Sequence, residues 1–332
     1  MLDDRKAAIL RAVVEEYIET AQPVGSGAVA PQVGASPATV RNEMSALESE
    51  GYLRQPHTSA GRVPTDKGYR FFVDGLSEPA TLDAPQAQQV RAFFAKAHGE
   101  VEGLLHDTSK LLADLTQYAA VVMPPGHETA TLRSVQLVGL GARHALLVVV
   151  LSNGAVGKHT LELDDDTGEE RLAAVTAHLS AHLIGVEVGS LPAAVPATGD
   201  ARTDAASSKA LDILRGDGSG DQAPVFVGGA ARMAAAFDAV ETVRQVLSIL
   251  EEQYVVVTVV RDVLDRGQHV AIGTETGVVP LAECSLVVAP YEIEGEWAGS
   301  IGVLGPTRMN YPQALAAVAA VSRRLGKHLT DG

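Results

Sequence analysis

One cysteine, Cys284, stands in 332 residues. That excludes an intrachain disulfide, and neither a four-ligand zinc site nor a redox pair can be built around it. The expected role is a small buried apolar side chain beside Leu286 and Val287. Long apolar runs are missing too: Ala145 to Leu151 and Tyr254 to Val260 fall far short of the roughly 20 residues a membrane span needs, so both are expected as buried strands. Asp3, Asp4, Arg5 and Lys6 precede any apolar stretch, unlike a secretory signal, and a cytoplasmic location is expected. Positive charge is scarce. Lys and Arg number 26 against 41 Asp and Glu, a net charge of −15, which disfavours indiscriminate attraction to nucleic acid.

What is present describes an ordinary folded protein. Hydrophobic residues make up 46% and charged residues 20% of the chain, a composition that buries a sizeable core. At this length two or three domains are expected. Charge is unevenly spread: residues 1–76 hold eight basic and ten acidic side chains, a net of −2, so −13 falls on the remainder. Between residues 51 and 73, Arg54, Arg62, Lys67 and Arg70 oppose Asp66 alone, a local excess of +3.

Leu10, Val13, Val14, Tyr17 and Ile18 fall on one face of a helix, with Arg11, Glu15, Glu16 and Glu19 opposite. Gln22 to Gly25 end that helix, and Ser26 can cap a short second one that Gly27 and Pro31 weaken. After a turn at Val33 to Ala35, Ser36 is an N-cap and Pro37 takes the first helical position, where its missing N–H costs nothing. In this third helix Val40, Met44 and Leu47 face inward, leaving Thr39, Arg41, Asn42 and Ser45 outward. Gly51 closes it. Tyr52 to Gln55 and Arg62 to Pro64 then read as two short strands around a turn at Pro56 to Gly61, a wing behind a helix-turn-helix.

Such a second helix enters a major groove about 12 Å wide and offers polar side chains to base edges. Arg41 suits guanine and Asn42 suits adenine, while Thr39 and Ser45 suit phosphates or mixed contacts. On the wing, His57, Thr58, Ser59 and Arg62 supply short donors and a guanidinium for phosphate or minor-groove contact. Ser36 and Arg54 complete the candidate DNA-binding set. A solvated helix face explains the third helix alone about as well; the wing shifts the balance.

Further on, a helix at Asp66 to Val73 leads through Ser77 to Pro85 into another, roughly residues 86–117. Strand-like runs follow at Ala119 to Met123, Ser134 to Leu140, Ala145 to Leu151 and Ala155 to Leu163, with Asn153-Gly154 marking a hairpin. Glu169 to Ile184 reads as helix, Gly189 to Gln222 as an insertion or flexible excursion, and Phe237 to Glu252 as helix. Strands are expected again at Tyr254 to Asp262, Gln268 to Gly273, Ser285 to Ala289 and Gly299 to Leu304, before a last helix bearing Ala314, Val318, Val321 and Leu325 on one face. The fold class is α+β.

The segment SPATVRNEMSALESEGYLRQPHTSAGRVPTDKGYRFFVD, Ser36 through Asp74, closely resembles the HrcA family of heat-inducible transcription repressors, its pieces VRNEM, LESEGYL, QPHTSAGRVPT and KGYRFFVD standing in order. PVGS at Pro23 to Ser26 and GSIGVLGPTRMNY at Gly299 to Tyr311 extend the likeness to both ends of the chain. The resemblance implies a winged helix-turn-helix domain at 1–76, a linker helix at 77–117, a GAF-like domain at 118–168 and 236–332, and an inserted dimerisation region at 169–235. It also implies a homodimer repressing chaperone operons through an inverted-repeat operator of the CIRCE type on double-stranded DNA, with a GroEL-type chaperonin as partner.

Other chemistry is weakly supported. GAVGKHT at Gly154 to Thr160 departs from a phosphate loop, because Ser152 and His159 occupy key places. His178 and His182 have a metal-ligand spacing on one helix but no acidic residue between them, and surface or packing roles are favoured. No intact nucleophile, metal or nucleotide motif marks an enzyme, and no cofactor is expected. The alternative kept open is a ligand-sensing regulator with an effector held in the GAF-like domain.

Overall fold

A computed structural model describes residues 2–57, 60–76, 81–97, 100–125, 130–152, 155–164, 167–217, 225–230 and 240–331. The first 75 residues build α1 (Asp4–Thr20), α2 (Ser26–Val29), α3 (Pro37–Ser49), β1 (Leu53–Arg54), β2 (Val63–Pro64) and α4 (Asp66–Asp74). Ile9, Leu10, Val13 and Val14 of α1 are buried with Val40, Met44 and Leu47 of α3, the faces that a 3.6-residue period assigns to the interior. As Gly27 and Pro31 foretell, α2 is a single turn.

Behind this unit come α5 (Ala84–Lys96) and α6 (Val101–Thr116), where one continuous helix over 86–117 was expected. The break follows Ala97, whose backbone is extended. Neither helix is a spacer: Val90, Phe94, Leu105, Leu111, Leu112 and Leu115 join the same buried cluster as the first unit.

The central sheet contains β3 (Ala119–Met123), β7 (Phe226–Gly228), β8 (Val270–Ile272), β9 (Cys284–Ile293) and β10 (Glu296–Pro306) in the order β7-β3-β10-β9-β8, antiparallel throughout. Strand alternation divides it cleanly. Ala120, Val122, Val287, Ile301 and Val303 face α11 (Tyr311–Asp331) and the first unit. Ala119, Val121, Ala271, Leu286 and Val288 face α10 (Gln253–Asp265), which follows α9 (Val240–Glu251).

Here one expectation fails. Tyr254 to Asp262 forms helix α10 rather than a strand, because Val256, Val257, Val259, Val260 and Val263 are buried at positions i, i+1, i+3, i+4 and i+7 against the sheet. β-branched composition suggested a strand; the surface to be covered required a helix.

A second, three-stranded sheet, β4 (Leu132–Gly141), β5 (His144–Leu151) and β6 (Val156–Glu162), is hydrogen-bonded separately from the first. One face packs on α7 (Glu169–Leu183) and α8 (Ala201–Asp217) to form a core of its own. Residues 201–217 are thus helical where a flexible excursion was expected, with Ala206, Ala210, Leu211 and Leu214 buried. The Asn153-Gly154 turn lies outside the described residues, although β5 and β6 pair across it. In chain order β4 to β6 lie between β3 and β7, both of which belong to the central sheet. Runs of similar apolar character cannot reveal which sheet each will join.

Candidate nucleic-acid interface

Local chemistry fixes α3. Ser36 Oγ accepts from Thr39 N at 3.1 Å and lies 2.9 Å from Thr39 Oγ1, so both hydroxyls are occupied in capping the helix. Arg41 and Asn42 point outward, are exposed, and form no side-chain hydrogen bond or ion pair among the described residues. They are available to a ligand at no cost in internal contacts.

The wing is a short hairpin pairing Leu53 with Pro64 and Arg54 with Val63. Its return strand is also tied to the turn before α2, Val24 N donating to Arg62 O and Arg62 N to Val24 O, each at 2.9 Å. Gly61 is required beside that junction: a Cβ there would stand 2.4 Å from Val24 O. Arg54 and His57 are exposed, whereas Thr58 and Ser59 lie outside the described residues.

Arg62, expected to contact phosphate or the minor groove, is engaged within the protein. Its Nε donates to Glu48 Oε2 at 3.0 Å and its Nη2 to Ser45 Oγ at 2.8 Å, so the guanidinium clasps the wing to α3 and its charge is already opposed. Ser45, expected at the DNA, also donates to Arg41 O at 3.0 Å. Lys67 behaves similarly, donating to Glu50 O at 2.8 Å and lying 4.2 Å from the Tyr52 ring centroid. Among the described residues of α3 and the wing, Arg41 and Arg54 are the arginines whose side chains stand exposed and unpaired, with His57 exposed on the wing.

Helix α4 seats this unit on the central sheet. Thr65 caps it, accepting from Gly68 N at 3.2 Å, and Tyr69 packs against Tyr311 with ring centroids 5.9 Å apart. Arg70 forms a short double contact with Glu275 and donates to Val270 O at 2.8 Å, while Asp66 accepts from both the amide and the hydroxyl of Thr274 at 3.2 Å. With about 200 residues between these partners, no local sequence signal announces them.

Elsewhere the weaker motifs take structural places. His178 Nε2 lies 2.9 Å from Pro196 O and His182 Nδ1 2.9 Å from the carbonyl of His178. Gly157 to Thr160 run within strand β6, not in a loop opening a helix. Cys284 is fully buried, and burial pushes its thiol up to about 12, which leaves it unreactive. No described helix is long and apolar enough to cross a membrane, and no cluster of three or more His, Cys, Asp or Glu suited to a metal is present among the described residues.

A capped helix with an open polar face, clasped to a two-stranded wing, defines a winged helix-turn-helix DNA-binding protein. The family comparisons agree. Residues 1–74 match the winged helix-turn-helix DNA-binding domain of the HrcA transcription repressor, and residues 102–315 match the HrcA C-terminal domain. This chain belongs to the HrcA family. The heat-inducible transcription repressor HrcA of Cutibacterium acnes is 40% identical, and that of Acidothermus cellulolyticus 39%, each over the whole of both chains. The Symbiobacterium thermophilum repressor is 36% identical over 98% of each. A crystal structure described as that of a hypothetical protein shares the fold, with a TM-score of 0.63 at 23% identity over all of this chain and 99% of its own.

Proposed function

We propose that this chain is a cytoplasmic, homodimeric, heat-inducible repressor of chaperone operons, acting without catalysis and binding a CIRCE-type inverted repeat through α3 and the wing. The observation that carries the reading is the exposed, unpaired pair Arg41 and Asn42 on a capped helix. Arg41 and Asn42 read bases. Thr39, Ser36, Arg54 and the wing residues His57, Thr58 and Ser59 meet the backbone, while Arg62 and Ser45 hold wing and helix in one rigid surface.

An inverted repeat calls for a two-fold dimer. The face of β4 to β6 turned away from α7 and α8 suits one: Val138, Leu140 and Val156 are 48, 58 and 52% exposed there. We assign dimerisation to this inserted unit, spanning 124–225. A GroEL-type chaperonin fits as a partner because β3 pairs with β10 and β7 across long stretches of chain, a topology that folds slowly and leaves apolar strands open meanwhile.

Fluorescence anisotropy with an inverted-repeat operator tests this: scrambled DNA of equal length binding as tightly would overturn it. Asn42→Ala is expected to cost about 1–3 kcal/mol and relax base preference. Arg62→Ala is expected to weaken all sequences while leaving the salt slope unchanged. A slope lower by about one charge would instead make Arg62 a phosphate ligand.

A further inference from the structure

Residues 77–332 carry a net charge of −13, yet four cations line one groove there. Between α5 and α11 lies a cavity of about 780 Å³, within the size range of small-molecule sites, to which Arg91 comes from α5 and Arg323, Arg324 and Lys327 from α11. The described residues that line it include no Asp or Glu. Arg91, Arg324 and Lys327 are exposed and form no ion pair or side-chain hydrogen bond among the described residues, and Arg323 engages its Nε alone, donating to Ala319 O at 3.2 Å.

Packing fixes both walls. Ser322 Oγ donates to Pro290 O, and Gly326 lets α11 lie close on β9 where a Cβ would collide with Glu292 O. Val90 and Phe94 of α5 are buried, and the Phe94 ring stands 5.9 Å from that of His328. The charge itself lacks an internal explanation. A helix C-terminus favours cations within its last turn, whereas Arg323 and Arg324 stand about two turns before Asp331. Arg323 and Lys327, at i and i+4, repel one another on one face.

An occupant of opposite sign removes that repulsion. A single carboxylate would leave most of the charge unopposed, whereas guanidinium groups from two walls suit the several oxygens of a phosphate chain. Leu82, Val90, Ala289, Pro290 and Ala316 make the rest of the lining apolar, which suits a flat organic group. We propose that this groove binds a nucleotide-sized organic polyphosphate, its phosphates between Arg91 and the three cations of α11 and its ring system on the apolar lining. Bound there, it links α5 to α11. The site stands independently of the repressor reading.

ATP, AMP and inorganic tripolyphosphate serve as probes in calorimetric titrations of the full chain at physiological ionic strength, without DNA or metal. ATP is expected to bind saturably at roughly 0.1 mM or tighter. AMP, with one phosphate, should bind about tenfold more weakly or worse, and tripolyphosphate, which leaves the apolar lining bare, about fivefold more weakly. Arg91→Glu and Arg324→Glu, one on each wall, should each weaken ATP about tenfold or more, with circular dichroism confirming their fold. Arg215→Glu, an exposed position on α8, makes the same change of charge and should leave affinity within about twofold. Absence of saturable ATP binding, unchanged affinity in both wall variants, or an equal loss in Arg215→Glu overturns the site. Tripolyphosphate binding as tightly as ATP overturns the organic part of the ligand. Loss of duplex DNA binding in the wall variants, with no saturable ATP binding to wild type, would make the groove a contact for a nucleic-acid backbone and overturn the small-molecule site.

Discussion

The DNA-binding unit and the inserted three-stranded unit hang on the central sheet in opposite ways. The first merges with it: Tyr69 and Phe72 of α4 share one buried cluster with Tyr311, Val318 and the sheet, and Arg70 and Asp66 fix the orientation. The second encloses Leu147, Val175, Leu179 and Leu211 in a core of its own, and an exposed ion pair, Arg133 to Glu294 at 3.1 Å, reaches across to the β9–β10 turn. A merged core transmits a disturbance, and a separate core confines it. The contrast couples the reading head to the body of the protein and leaves the three-stranded unit apart from both.

Core truncations give the largest expected effects on that contrast. Tyr69→Ala and Leu179→Ala should each cost about 2–5 kcal/mol. Hydrogen exchange should separate them, Tyr69→Ala loosening the first unit, α11 and the central sheet together, and Leu179→Ala loosening residues 130–217 alone. Spread of the Leu179→Ala effect into α4 would break the comparison. Next comes Gly61→Ala, whose Cβ collides with Val24 O. A cost of about 1–3 kcal/mol is expected by thermal unfolding, with a loss of operator affinity because the wing is displaced from α3. Smallest is Arg133→Ala: an ion pair this exposed should contribute less than about 1 kcal/mol, and a larger loss in denaturant titration would show that the inserted unit is tied down after all.

How much of this was legible varies with the kind of signal. Helix α3 could be read to its first residue because Ser36, Pro37 and the Val40-Met44-Leu47 period act within one turn or two. Helix α10 has the same length yet was misread, since a run of valines fits a strand until the sheet beneath it is known. Helix α8 was hidden by small residues, Ala206 and Ala210, whose burial against α7 lends them an importance that composition does not show. At the site, Arg41 and Asn42 were visible as outward polar positions. The engagement of Arg62 with Glu48 and Ser45 was not, because it depends on the wing folding back over a helix 14 and 17 residues earlier.

Capping, turn chemistry and the 3.6-residue period lie within short stretches of chain, so the amino-acid order alone determined the helix-turn-helix, the wing and the outward polar positions of α3. Which strands share a sheet, which cations remain free and how α4 is seated on the sheet depend on groups up to about 200 residues apart. Those choices belong to the tertiary structure, because apolar area is buried and charge opposed only where distant segments meet.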